Sequence, residues 1–179
     1  VIFVLMKFLK IYSNKEIASG TSSTNNTTLT DASATFTSTV KVGDVVFSTG
    51  GASSGTIVSI NSGTVLTLSR NLGTIGAYKI YSATQFANPR MVILDKMIAL
   101  NTSYTNRADI IFAPDPNGDN ISLTLTNGAV DSGLEMSLNE YILDALKSTI
   151  KPSNFVEVKL PVVSTANGAL AVVSVTPVN

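Results

Sequence analysis

The chain has 179 residues, enough for one generous domain or two small ones, and a hydrophobic fraction of 44% that can supply a core without covalent staples. Cysteine and histidine are both absent, which excludes a disulfide framework, thiolate metal centres and the side chain most used for acid/base work and metal ligation. Twelve basic residues balance twelve acidic ones at only 13% charged residues, so no long-range field draws in a polyanion and no nucleic-acid partner is expected.

Residues 1–12 read VIFVLMKFLKIY, an apolar run too short and too interrupted by Lys7 and Lys10 to cross a bilayer. It lacks the charged lead and the small-residue cleavage site of a secretory leader, and no membrane partner is expected. Met6 as the true initiator would make residues 1–5 an upstream extension. Alternatively, those residues form an interface strand that adds to a neighbouring subunit. Residues 7–12 read as a strand, ended by Ser13-Asn14-Lys15.

Residues 19–28 (SGTSSTNNTT) contain no apolar side chain and read as a loop or linker. Short β-branched and aromatic runs follow, punctuated by Gly, Asn, Ser and Asp. Val45-Val46-Phe47 is one strand. Residues 56–60 and 64–68 form a hairpin around Asn61-Ser62-Gly63, and Lys79-Ile80-Tyr81 adds another strand. About five strands in this stretch predict a small rolled sheet or barrel-like unit.

The rest of the chain has longer strands: residues 91–100, 108–112 and 121–126, the last alternating Ile121, Leu123 and Leu125 with hydroxyl residues. A helix is predicted from Ser137, which forms a capping box with Glu140, along the stripe Leu138, Ile142, Leu146 and Ile150 to the stop at Pro152. Residues 155–163 and 170–175 are the closing strands, on either side of Ala166-Asn167-Gly168. The predicted fold is mainly β, or α+β: an antiparallel sheet with one amphipathic helix (residues 1–15 and 87–179), interrupted by an inserted all-β, barrel-like unit (residues 16–86).

Several constellations suggest chemistry, and each has a plainer explanation. Asp115, Asn117 and Asp119 occupy the first, third and fifth positions of a calcium loop, but Asn120 and Thr126 stand where that loop needs Gly and Glu, so a hairpin turn is the better reading. Glu135 and Glu140 flank the helix start, where carboxylates serve capping. Gly50, Gly51 and Gly55 crowd one loop without a phosphate-binding Lys. Tyr78 and Tyr81, near Lys79 and Arg70, suggest base stacking only weakly against a structural strand. No catalytic, cofactor-binding or metal-ligating residue is expected, and no cofactor.

The stretch from Leu29 to Leu68 resembles a segment found in bacteriophage virion proteins. The likeness rests on Leu29-Thr30-Asp31, Ala34-Thr35-Phe36, Val42-Gly43-Asp44-Val45-Val46, Gly55-Thr56-Ile57-Val58-Ser59-Ile60 and Thr64-Val65-Leu66-Thr67-Leu68. The opening Met6-Lys7-Phe8-Leu9-Lys10-Ile11 and the helix-then-strand ending are similar to small structural proteins of marine and cyanobacterial phages. These motifs are short, and they imply a particle component rather than an active site.

The resemblance implies a non-enzymatic virion protein, assembled in the host cytoplasm. Its leading role is capsid decoration or cement between copies of the major capsid protein, as a homo-oligomer with trimers the leading form. The alternatives are a tail, neck or baseplate component that contacts other virion proteins, and a receptor or glycan-binding module.

Overall fold

In the computed structural model, residues 8–48, 53–93, 97–101, 107–112, 120–125, 155–160, 162–165 and 168–178 are described. The predicted helix at 137–150, the Asp115 to Asp119 turn, Glu135 and residues 1–5 lie outside them. What is described is mainly β, and its one helix is the four-residue α1 (Phe36–Thr39).

Two long strands organise the fold, β1 (Phe8–Asn25) and β6 (Thr74–Ile93), which pair antiparallel. Around them lie β2 (Thr28–Thr30), β3 (Val45–Ser48), β4 (Ser53–Ile60), β5 (Val65–Leu68) and β10 (Phe155–Val158), in the sheet order β10-β1-β6-β3-β4-β5-β2. Six of these seven strands are antiparallel. β10 runs parallel to β1, matching Phe8 to Phe155 and Ile11 to Val158. The amino-terminal strand thus pairs with β6 on one side and with β10, from near the carboxyl end of the described chain, on the other. No ladder joins β2 to β1 among the described residues. Side chains span that gap: the Thr30 amide donates to Ser22 Oγ (3.2 Å) and Ser23 Oγ to the Thr30 carbonyl (3.5 Å). The sheet is therefore open in its backbone pairing.

The predicted loop at 19–28 is a correction. Residues 19–25 belong to β1, and only Asn26 and Thr27 turn the chain, with Asn26 at φ 71°. The tract has strand periodicity in side-chain size rather than in polarity. Ala18, Gly20 and Ser22 face inward, while Ser19, Thr21 and Ser23 are exposed. Large residues are unnecessary on the inner side because Tyr78 of β6 and Leu29 of β2 fill that space, so a tract without apolar side chains still lines a core.

Other boundaries move for related reasons. The predicted three-residue strand at Lys79 extends into the twenty residues of β6, since β1 continues to offer a ladder on one side. The predicted strand 91–100 is divided between the end of β6 and β7 (Met97–Asn101). The predicted strand 155–163 stops as β10 at Val158. β11 (Val163–Thr165) then forms a hairpin with β12 (Gly168–Leu170), and β13 (Val172–Val178) follows. β13, β9 (Asn120–Leu125), β8 (Arg107–Phe112) and β7 make a four-stranded antiparallel sheet in that order. The predicted 56–60/64–68 hairpin is present as β4/β5, with Ile60 matched to Leu66.

The ladder of β1 with β6 passes through both expected unit boundaries, 15/16 and 86/87, and changes register there. Asn14 matches Phe86 and Glu16 matches Tyr81, so two steps on β1 face five on β6. The extra residues are held by buried polar groups. Asn14 Nδ2 donates to the Ser82 carbonyl (2.9 Å), and Asn14 Oδ1 accepts from the Val172 amide (3.0 Å), tying β13 to the same point. Ser82 Oγ accepts from the amides of Thr84 and Gln85. Farther along β6, Arg90 Nε donates to the Val175 carbonyl (3.2 Å).

Two cores lie on opposite faces of β3. Val46 joins Leu29, Phe36, Ile57, Leu66 and Ile80 in the larger one; Val45 and Phe47 join Tyr81, Ala169 and Ala171 in the other. β3 is buried on both faces, which explains its uninterrupted apolar run. The second core is tied to β12 through Ser54 Oγ, which donates to the Ala169 carbonyl (2.6 Å) and lies 3.1 Å from the Ala169 amide.

Candidate assembly surface

The residues of the Leu29 to Leu68 segment have separable structural tasks, and most of its polar groups are committed to the scaffold. Asp31 is buried at the end of β2. Its Oδ1 accepts from the Ser33 amide (2.9 Å) and hydroxyl (2.6 Å), and its Oδ2 from the Tyr78 hydroxyl (2.8 Å). The Ser33 hydroxyl bond is the main influence holding the Asp31 carboxyl below its ordinary range, and Tyr78 adds to it against the cost of burial. Burial, and then the Asp31 carboxylate, push the Tyr78 phenol well above its ordinary range. Beside this pair, Ile17, Ala18, Ser19, Ala34, Thr35 and Phe36 help to line a partly open cavity of about 200 Å³. No described charged side chain lines it.

Asp44 is the second buried carboxylate. Its Oδ2 accepts from the Lys41 amide (2.7 Å), closing the 41–44 turn, and its Oδ1 accepts from the Ala83 amide (2.9 Å) in the irregular part of β6. Gly43 adopts φ 94°, which a side chain would strain. The Gly43 amide donates to the Ile57 carbonyl and the Ile57 amide to the Asp44 carbonyl, both at 2.9 Å, so two residues face one. Val42 stands in this turn, and Val58 follows Ile57 on β4. Both are large apolar residues facing solvent, 62% and 52% exposed.

A third feature lies at the β10 edge. Glu157 Oε1 accepts from the Tyr12 hydroxyl (2.8 Å) and meets Lys10 Nζ at 3.7 Å, while Oε2 meets Lys159 Nζ at 3.2 Å. The Tyr12 hydroxyl is the main cause holding the Glu157 carboxyl below its usual range, followed by Lys159. Both lysines lie 5.2 Å from the Tyr12 ring centroid.

The aromatic pair weighed for base stacking is not assembled into a platform. Tyr78 and Tyr81 are buried on opposite faces of β6, Tyr78 with Phe36 and Tyr81 with Phe47. Lys79 is exposed and pairs with Glu16 at 2.8 Å. Gly55 packs against Arg70 and Leu72, a close approach rather than a phosphate cradle. Gly50 and Gly51, like Asp115, Asn117, Asp119, Glu135 and Glu140, lie outside the described residues. Sequence reasoning missed Val42 and Val58 as a surface pair and Glu157 with Lys159 as an edge pair. The signal for the latter was present in opposite charges two residues apart in the sequence. No described group of three or more acidic residues could hold a metal ion.

Replacing Tyr78 by Phe tests the Asp31 node. The variant should lose about 1.5–3 kcal/mol of stability at neutral pH, the net value of a buried hydrogen bond to a charged group. A second effect concerns pH. Because the Asp31 carboxyl titrates below its unfolded value of 3.8, the stability it contributes is present above that value and lost as pH falls through the folded one. Removing the Tyr78 hydroxyl raises the folded value, so the acid-dependent loss should shrink. Urea titrations on both sides of pH 4 check this, and an unchanged acid loss would remove Tyr78 from the account.

No family model, curated protein or solved structure matches the chain.

Proposed function

We propose that this chain is a non-enzymatic structural protein of a bacteriophage particle, a capsid decoration or cement protein that assembles as a homo-oligomer and bridges neighbouring capsid subunits. The observation that carries this reading is the Val42–Val58 pair. Two large apolar side chains face solvent, Val42 in a turn whose Lys41 amide is fastened to the buried Asp44 carboxylate and Val58 on β4, to which the Gly43 amide ties that turn through the Ile57 carbonyl. Such a firmly held apolar contact suits a surface covered on assembly. The pair falls within the segment that resembles phage virion proteins, and Asp31 and Asp44 within that segment are both occupied by scaffold hydrogen bonds.

Copy number in purified particles, measured by quantitative mass spectrometry against the major capsid protein, tests the proposal. A decoration role predicts on the order of hundreds of copies, since the shell repeats its sites by symmetry. About a dozen would move the chain to a tail, neck or baseplate ring, and absence from particles would end the virion reading.

A further inference from the structure

The seven-stranded sheet ends on β10, and no strand pairs with its outer edge among the described residues. A strand edge presents backbone donors and acceptors to any chain that can lie beside it, and edges are often guarded by like charges that repel a second copy. This edge has opposite charges instead. Glu157 lies on β10 and Lys159 directly after its end; the two side chains meet at 3.2 Å and are 49% and 46% exposed. The Glu157 carboxylate is held over the sheet from the neighbouring strand by the Tyr12 hydroxyl and Lys10, which leaves Oε2 toward lysine at the edge.

Opposite charges at this spacing are self-complementary in only one antiparallel alignment. With a two-fold axis at residue 158, each Glu157 stands across from Lys159 of the partner subunit, and Val156 across from Leu160 of the partner subunit. An axis at residue 157 sets glutamate against glutamate, and an axis at 159 sets lysine against lysine. Shifting by a single residue turns one charged face against the opposite side of the sheet. Pro161 lacks an amide donor and bounds the pairing segment.

We propose that the β10 edge is a self-association surface on which two copies of this chain pair residues 156–160 antiparallel about residue 158, selected by the Glu157–Lys159 contacts. The occupant is a second copy because the charge pattern complements itself. This deepens the homo-oligomeric part of the proposed function, but it does not require the particle. A chain found in no virion could still dimerise through β10, and a monomeric chain could still be counted in virions. Five residues of edge pairing form a small interface, so association should fall in the micromolar range and gain strength from repetition in an array.

Sedimentation equilibrium of the full chain at micromolar concentrations is the test, with Glu157→Lys, Lys159→Glu and the double exchange as variants. The chain should form dimers. Each single reversal should weaken association about tenfold or more, because it creates two like-charge cross-strand pairs, and the double exchange should restore it. Val158→Cys supplies a second measurement. In a chain without cysteine, mild oxidation should yield a disulfide-linked dimer, since the axis brings the two 158 positions together. A monomer throughout that range, a dimer indifferent to both single reversals, or no disulfide dimer from the folded cysteine variant would overturn the proposal.

Discussion

Gly20→Ala should lower the unfolding free energy by about 3 kcal/mol, through steric conflict and not backbone conformation. Gly20 lies on β1 against the Asp31–Tyr78 pair. An added Cβ would overlap Asp31 Oδ2 and stand 2.8 Å from the Tyr78 hydroxyl oxygen and 3.1 Å from its ring carbon. Both side chains are buried and joined to each other, so neither can retreat without losing hydrogen bonds. Relief therefore requires displacing β1 or breaking the Asp31 node. Ser19→Ala, on the exposed side of the same strand, is the control and should change stability by less than about 0.5 kcal/mol. Urea unfolding followed by circular dichroism measures both. Equal midpoints for the two variants would mean that β1 does not press on this pair.

Asp44→Ala should cost about 2–4 kcal/mol, because it removes one acceptor group that serves two amides, one local and one distant. Lys41 donates within the turn and Ala83 donates from β6, and the carboxylate itself is buried. Asn in its place retains one acceptor oxygen, so Asp44→Asn should lose less. The turn also fixes the Val42–Val58 bulge, and amide exchange at Gly43 and Ile57 should accelerate in the alanine variant along with the global loss. A drop below about 0.5 kcal/mol with unchanged exchange would show that the turn holds without its carboxylate.

These two residues show how much of the molecule was legible in the sequence. The Val42-Gly43-Asp44 bend could be read locally from its residue types, while the structure adds both partners of the Asp44 carboxylate, the amides of Lys41 and Ala83. Gly20 could not be read. Within a run of serines and threonines it looks like one more loop residue, and its requirement comes from Tyr78 and Asp31, whose chain positions are far from its own. The buried tyrosines illustrate the same point. Tyr78 and Tyr81 are close in sequence, but the strand alternation and the irregular ladder send them into separate cores. The surface pair Val42 and Val58 also depends on a contact between segments, the bulge opposite Ile57.

By itself the sequence determined the β character, the β4/β5 hairpin, and the lack of cysteine and histidine chemistry. These are properties of side-chain type and of spacing over a few residues, where alternation and turn preference act directly. Only the tertiary structure decided that the polar tract at 19–25 continues β1, that β6 runs for twenty residues, and that β10 lies parallel to β1. Each of these depends on a ladder supplied by another part of the chain; the Tyr12–Glu157 bond beside β10 joins residues 145 positions apart. A stretch of strand whose inner side carries only Ala, Gly and Ser, as β1 does from Ala18 to Ser22, is stable when its neighbours supply the bulk, and that information resides in the neighbours.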